Sequence, residues 1–562
     1  MEIKVLISLV LSQLMTRTYA QKMDMRIKEN KRWMARCLMV LAIMAFCIGC
    51  SKDNDNTTEQ PTPPIEQPEK TAADVLANIP GVNIIQNTKD ANKRDITTFY
   101  FDQPIDHNDA SAGTFRQYCV LHYKGRDCVT VLHTQGYSTN EPDKLWQPDL
   151  VTVLDGNYIE IEHRYYRHSA INKDAENYDA EYWKNNTAAQ STADLHTIVT
   201  ALKQTGCFNG KWVSTGVSKN GILTALYAFY YPNEMDAYVP FCAPFCTEAE
   251  APGIGKWLTQ QCGKGTEAHQ RIWSALQRML TDEQLRSEMT TLYKKDYPNN
   301  TSVQKYSTST AMCAMLFSFM SNLFYKFAYQ PLDTWADITP QYVYSAEAYY
   351  RFVMQNKTNF IDNLKALRNL LKLEDKELFL YDYEYDIYDD YETDYDEGWP
   401  DIDESDELLV RRRAQKMAFE DFLIEIYHVH AAKEIGYFLH DWSMLPADFP
   451  KNQLEWLNEQ VSVTKYNKKY GVQYDGGKLM NDFLAFLRNN RNTSKCKMLF
   501  VYGANDPWTG AAIPDPAADD PYVKKYVVPG GIHSGCIKNT LHYTVQDRDY
   551  IVNTVKQMMQ LQ

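Results

Sequence analysis

The chain has 562 residues, 44% of them hydrophobic and 13% aromatic, which supplies a large core and excludes a disordered or fibrous protein. Its formal net charge of −14 argues against nucleic-acid binding, since phosphate recognition needs clustered lysine and arginine and none is evident in the folded part. Substrates are expected to be neutral or to carry a positive amine.

Lys28 to Arg36 is basic and Leu38 to Ile48 is a short apolar run, too short to span a bilayer but suited to a signal-peptide core. It ends at Gly49-Cys50, a small residue before a cysteine as in the lipobox of bacterial lipoproteins, although Cys47 stands where leucine is usual. Cys50 is the expected lipid anchor and the only expected contact with a membrane. An exported lipoprotein of the bacterial cell envelope is the natural reading, and residues 1–24 suggest a start codon set too early. Residues 51–71, rich in proline, Asp, Glu and Asn, read as a disordered tether.

From residue 72 the pattern alternates strand and helix. Strands are expected near Thr97 to Phe101, Phe115 to Tyr123, Cys128 to Leu132, Tyr158 to Glu162, Lys211 to Thr215 and Ala237 to Phe241, with a helix over Ala188 to Gln204. Between 251 and 470 the strand signals vanish and helical runs dominate, which makes this stretch a cap. Strands return at Lys497 to Tyr502 and Tyr526 to Val528. The expected architecture is an α/β fold with a mostly parallel central sheet. Residues 72–250 and 471–562 form its two parts, and the helical cap is inserted before the catalytic acid.

The chemistry starts at Gly216-Val217-Ser218-Lys219-Asn220-Gly221, where a strand turns sharply into a helix around one serine. This is the nucleophile elbow of α/β-hydrolases, with Gly216 small as the turn requires and Asn220 where a second glycine is usual. Ser218 is the expected nucleophile. Chain order in that fold is serine, acid, histidine, and Asp506 and His533 follow in that order, each on a loop just past a strand. Asp506 would orient the imidazole and His533 would act as general base. An ordinary Asn-Asp-Pro turn and a surface histidine are the bland alternatives for these two. The oxyanion hole needs two N–H groups: Lys219 supplies one, and Gln135 or Gly136, after the strand ending at Leu132, supplies the other.

Several linked motifs then carry a resemblance. Phe101-Asp102-Gln103-Pro104-Ile105-Asp106-His107, Thr114-Phe115-Arg116-Gln117-Tyr118, Glu162-His163-Arg164-Tyr165-Tyr166, Gln190-Ser191-Thr192-Ala193-Asp194 and Gly216-Val217-Ser218-Lys219 occur in one order. That order resembles secreted serine peptidases related to prolyl carboxypeptidase, most of all the bacterial prolyl tri- and tetrapeptidyl aminopeptidases of the PS-ten type. The resemblance covers residues 95 to 245 and 495 to 540. It implies an α/β-hydrolase with a large helical cap that cleaves short peptides from free N-termini, often next to proline, and it matches Ser218, Asp506 and His533 to the family's triad. Asn220 departs from the family's glycine.

Short peptides are thus the expected partners, and no cofactor or metal is called for. His428-Val429-His430 lacks a suitable third ligand. For amine capture, Glu248 and Glu250 lie just past a strand end, with a helix N-terminal turn as the competing role. The acidic, tyrosine-rich stretch Glu374 to Glu407 would bind an ammonium or calcium, or simply face water. Nine cysteines follow Cys50, and Cys246 with Cys262 is one candidate bridge. An esterase or deacylase using the same triad is the competing enzyme reading. A surface-binding lipoprotein with a degenerate hydrolase core is the competing non-enzyme one, kept open by Asn220.

Overall fold

The computed structural model describes residues 71–89, 95–139, 147–172, 178–249, 282–296, 426–436, 463–540 and 542–561, with isolated positions between 253 and 315. The expected signal region and lipobox, residues 51–70 of the expected tether, the Glu374 to Glu407 stretch, Glu250 and Cys262 lie outside them. Nine strands form one sheet in the order β1-β2-β3-β5-β4-β6-β7-β8-β9. They are β1 Val82–Lys89, β2 Asp95–Pro104, β3 Thr114–His122, β4 Thr130–Thr134, β5 Asn157–Ile161, β6 Trp212–Val217, β7 Ala237–Phe241, β8 Met498–Gly503 and β9 Val523–Val528. Pairings from β1 to β3 and from β3 to β5 are antiparallel, and those from β5 through β9 are parallel. The mostly parallel centre and the crossed order β5-β4 are those of an α/β-hydrolase, as expected.

Central strands read as continuous apolar runs because both faces are covered. Along β8, Met498, Phe500 and Tyr502 enter one core while Leu499 and Val501 enter the other. The first core holds helices α3 (Ala188–Gln204), α4 (Lys219–Tyr230) and α7 (Lys478–Asn489), through residues such as Ile198, Leu226 and Phe483. The second holds α2 (Asp149–Leu154) and α8 (Val545–Met559), through Val151, Ile551 and Val555. α1 (Ala72–Leu76) opens the domain with a capping box between Thr71 and Asp74.

Strand β1 is the element that the periodicity missed. It is an edge strand, its positions are mostly exposed or half-exposed, and Asn83, Gln86, Asn87 and Thr88 break any apolar alternation. Adjacent strands β7 and β8 bracket the long insertion. Its described regular elements are α5 (Glu283–Asp296), a helical turn from Ile426 passing into a π-helical turn at Ala431–Ile435, α6 (Val463–Tyr470) and α7. In the turn, His428 stacks on Tyr466 while His430 Nε2 lies 2.8 Å from Glu434, so the two histidines look to different partners.

The residues that carried the resemblance are largely a buried polar brace. Arg164 makes a bidentate pair with Asp194, Nε at 2.8 Å and Nη2 at 2.7 Å, and both side chains are fully buried. His107 Nε2 lies 2.8 Å from the same carboxylate, Gln103 donates to the Asp194 carbonyl, and Gln117 donates to the Glu162 carbonyl. Strands β2, β3 and β5 are thereby pinned to α3. A guanidinium suits this place because its fork satisfies a carboxylate and still reaches the carbonyls of Ile105 and Asn185.

Candidate active site

Strand β6 passes into α4 at Ser218, whose φ of 60° and ψ of −123° are a conformation that a side chain adopts only under constraint. The constraint is visible. Ser218 N–H donates to the Phe241 carbonyl on β7, and Ile222 N–H donates to the Ser218 carbonyl to start the helix. A Cβ at Gly216 would lie 2.5 Å from the Asn220 carbonyl oxygen, so only glycine fits where strand and helix cross.

Asp506 follows β8 and His533 follows β9, at the same end of the sheet as Ser218. His533 Nδ1 lies 2.8 Å from Asp506 Oδ2 in a buried pair. The other carboxylate oxygen of Asp506 accepts from Trp508 N–H at 2.9 Å, which fixes the plane of the acid. The Trp508 ring then stacks on the imidazole, 3.9 Å between centroids. Cys242, one residue past the partner of Ser218 N–H, brings its Sγ within 4.8 Å of ligand atoms of both Asp506 and His533. A Cβ at Gly535 would come 2.7 Å from Val217 Cγ2, so the histidine loop lies directly against the elbow. Acid and imidazole are thus joined, and the elbow sits beside them. Ser218 Oγ itself makes no hydrogen bond among the described residues. Such bonds commonly tighten only when substrate arrives.

Lys219 is the first residue of α4, where an N–H has no acceptor inside the helix. Opposite it lies the loop after β4. There Gly136 N–H donates to Asn220 Oδ1 at 2.7 Å, and Asn220 Nδ2 donates to Gln135 Oε1 at 2.8 Å. Gly136 N–H is therefore spent on Asn220, which leaves the Gln135 N–H as the remaining candidate of the two. Gln135 Nε2 continues the chain to Glu160, and Glu160 lies 2.8 Å from His133 Nδ1. Asn220, read as a departure, is instead the link that ties the elbow helix to this loop.

The Lys219 side chain runs the other way. Its stem packs against Gly136, and its ammonium lies 4.9 to 5.5 Å from the ring centres of Tyr137, Tyr166 and Tyr427. Burial pushes that ammonium down to about 7. Ser218, Lys219, Ile222, Pro244, Tyr427 and Ile435 line a small pocket, so the insertion contributes part of its wall. Sequence reading missed Trp508, Cys242, Tyr427 and the Lys219 side chain. Only the position of Trp508 two residues past the acid hinted at any of them. Glu248 is exposed, and its carbonyl oxygen would lie 2.6 Å from a Cβ at Gly436, next to the pocket-lining Ile435.

Residues 67–260 match the family model of the PS-10 peptidase S37. A prolyl tri/tetrapeptidyl aminopeptidase from Streptomyces mobaraensis is 28% identical over 211 residues, covering 38% of this chain and 41% of that protein. The chain thus spans about two fifths of the length of the curated relative it matches. Among solved structures, a proline iminopeptidase of Mycobacterium smegmatis aligns over 82% of this chain and 99% of its own, at 11% identity and a TM-score of 0.31. A hydrolase of the α/β fold family from Bacillus anthracis aligns over 82% and 99%, at 13% identity and a TM-score of 0.30. The fold assignment rests on the strand order and the elbow, and the family assignment on the sequence match. Over residues 67–260 the chain is thus similar to the PS-10 peptidase S37 family, the one its linked motifs pointed to.

Proposed function

We propose that the protein is a serine peptidase that releases short peptides from free N-termini by acyl-enzyme chemistry. Ser218 attacks the scissile carbonyl, His533 takes its proton and returns it to the leaving amine, and Asp506 holds the imidazole and stabilises its charged form. The N–H groups of Lys219 and Gln135 receive the oxyanion. The observation that carries the reading is the buried 2.8 Å contact of His533 with Asp506, set beside a serine in strained elbow geometry. Product length and proline preference come from the relative's printed name and are part of the proposal.

A fluorophosphonate probe tests the chemistry: it should label Ser218 and fail to label Ser218→Ala. Absence of labelling in the native protein would refute a serine hydrolase. Paired assays on free and N-acetylated tripeptides test the exopeptidase part, and equal cleavage of both would exclude it. We further propose that Cys50 carries lipid and holds the enzyme at the cell envelope. Incorporation of labelled palmitate into the native chain but not into Cys50→Ser is the expected result.

A further inference from the structure

Beside the nucleophile sits a cation that no step above uses. Lys219 is 3% exposed, and its ammonium has no hydrogen-bond partner among the described residues. Its surroundings are the rings of Tyr137, Tyr166 and Tyr427 with Ile222 and Ile435, and it lines two adjoining small cavities that share Ile222 and Ile435. The two nearby histidines do not serve it. His163 commits Nδ1 to the Arg164 carbonyl and Nε2 to Ser191 Oγ, while His430 turns Nε2 to Glu434. Burial and the Lys219 charge hold both imidazoles well below their ordinary range, so neither adds a positive charge.

A buried ammonium with three unspent donors is costly unless something brings acceptors to it. Ring faces offset part of that cost but accept no conventional hydrogen bond. No described residue supplies the missing acceptors, and the pocket shared with Ser218 is where a ligand would. That pocket offers aromatic and aliphatic walls, the hydroxyl-bearing Ser218 and Tyr427, and the ammonium, a set that suits a backbone carbonyl flanked by small apolar groups.

We propose that Lys219 Nζ is a substrate-binding group that donates hydrogen bonds to a backbone carbonyl of the short N-terminal peptide that becomes the acyl group. The proposal rests on the reading of Ser218 as nucleophile of an exopeptidase. It makes Lys219 serve that reaction twice, by main chain at the oxyanion and by side chain further along the acyl segment. Lowering of the ammonium to about 7 fits a donor that is poised while empty and recharged by its ligand.

The test compares a proline-ended tripeptide anilide with p-nitrophenyl acetate, whose acyl group has no second carbonyl. In Lys219→Met, kcat/KM for the tripeptide should fall about 30-fold or more, chiefly through KM, and at least tenfold further than for the acetate. Equal losses on the two substrates, or an unchanged tripeptide KM, would overturn the proposal. Because loss of this side chain could impair folding, the native enzyme is tested too, with the tripeptide acid as competitive inhibitor. Replacing each internal amide in turn by its alkene isostere should weaken one analogue at least tenfold at pH 6. Two analogues that bind as well as the parent would refute the assignment. Failed fluorophosphonate labelling of Ser218 sinks the peptidase reading itself, whereas labelling with these negative results sinks only the role of Lys219.

Discussion

Asn220 Oδ1 accepts the Gly136 N–H at 2.7 Å, so a side chain two residues past Ser218 ties down the loop opposite it. With Asn220 Nδ2 on Gln135, the elbow helix and the loop after β4 move as one piece. The same loop carries the Gln135 N–H that the proposed mechanism uses. Preorganised donors are worth more than donors that must be arranged during the reaction.

Asn220→Ala removes both bonds and leaves the buried Gly136 N–H without its acceptor. Stability should fall by about 1–3 kcal/mol, and kcat by tenfold or more with KM little changed. Steady-state kinetics on a tripeptide anilide measure this. A kcat equal to that of the parent would mean that Asn220 only fills space.

The Trp508 ring stacked on His533 predicts a division between shape and function. Trp508→Phe keeps a flat ring and should retain kcat within about threefold, whereas Trp508→Ala should lose much of kcat and about 3–5 kcal/mol of stability. Loss of stability with kcat intact would show that the ring serves only the core.

Breaking the Arg164 and Asp194 pair is predicted to unfold rather than to alter chemistry. Arg164→Met or Asp194→Asn leaves a buried, partly unsatisfied polar group and should cost about 3–5 kcal/mol. Arg164→Met with Asp194→Leu should recover part of that loss. Denaturant midpoints report it, and a single variant as stable as the parent would contradict the brace.

Glu434 and Lys219 contribute to the pH dependence of stability with opposite slopes, alongside His163 and His430, whose depressed imidazoles add stability as pH rises toward their ordinary range. Burial raises the Glu434 carboxyl to about 7, with the Ala188 N–H and Lys433 opposing, while burial lowers Lys219 to about 7. From pH 4.5 to 7 the folded chain keeps a proton on Glu434 that the unfolded chain has released, so the contribution of Glu434 to stability falls by roughly 3 kcal/mol as pH rises. Above pH 7 the unfolded chain keeps a proton on Lys219 that the folded chain has lost, so stability climbs again. The gap in unfolding midpoint between Glu434→Gln and the parent should shift in favour of the variant as pH rises from 4.5 to 7 and stay level above it, and a gap that does not change with pH would refute the assignment to Glu434.

What was legible in the chain was whatever depends on local pattern. The runs through Trp212–Val217 and Met498–Gly503 announce buried strands, and Ser218, Asp506 and His533 each follow one directly. What was not legible depends on meetings between distant segments. Nothing near Asn220 in sequence reveals Gln135 and Gly136, and nothing near Lys219 reveals Tyr166 or Tyr427. The linked motifs pointed to the same family as the match over residues 67–260, yet most of their polar residues brace the sheet. A specific sequence signal there marked architecture as much as chemistry.

The Tyr502 hydroxyl donates to the Ala243 carbonyl at 3.0 Å across 259 positions of sequence, where β8 rejoins β7. Closing a loop of that length costs about 5 kcal/mol in chain entropy before any contact across it is gained. The serine and its helix can be built from the first half of the polypeptide, but the acid and the histidine arrive only after this seam is sewn. During synthesis the newborn chain therefore carries Ser218 and its elbow before the partners proposed for it exist, and the full constellation comes last.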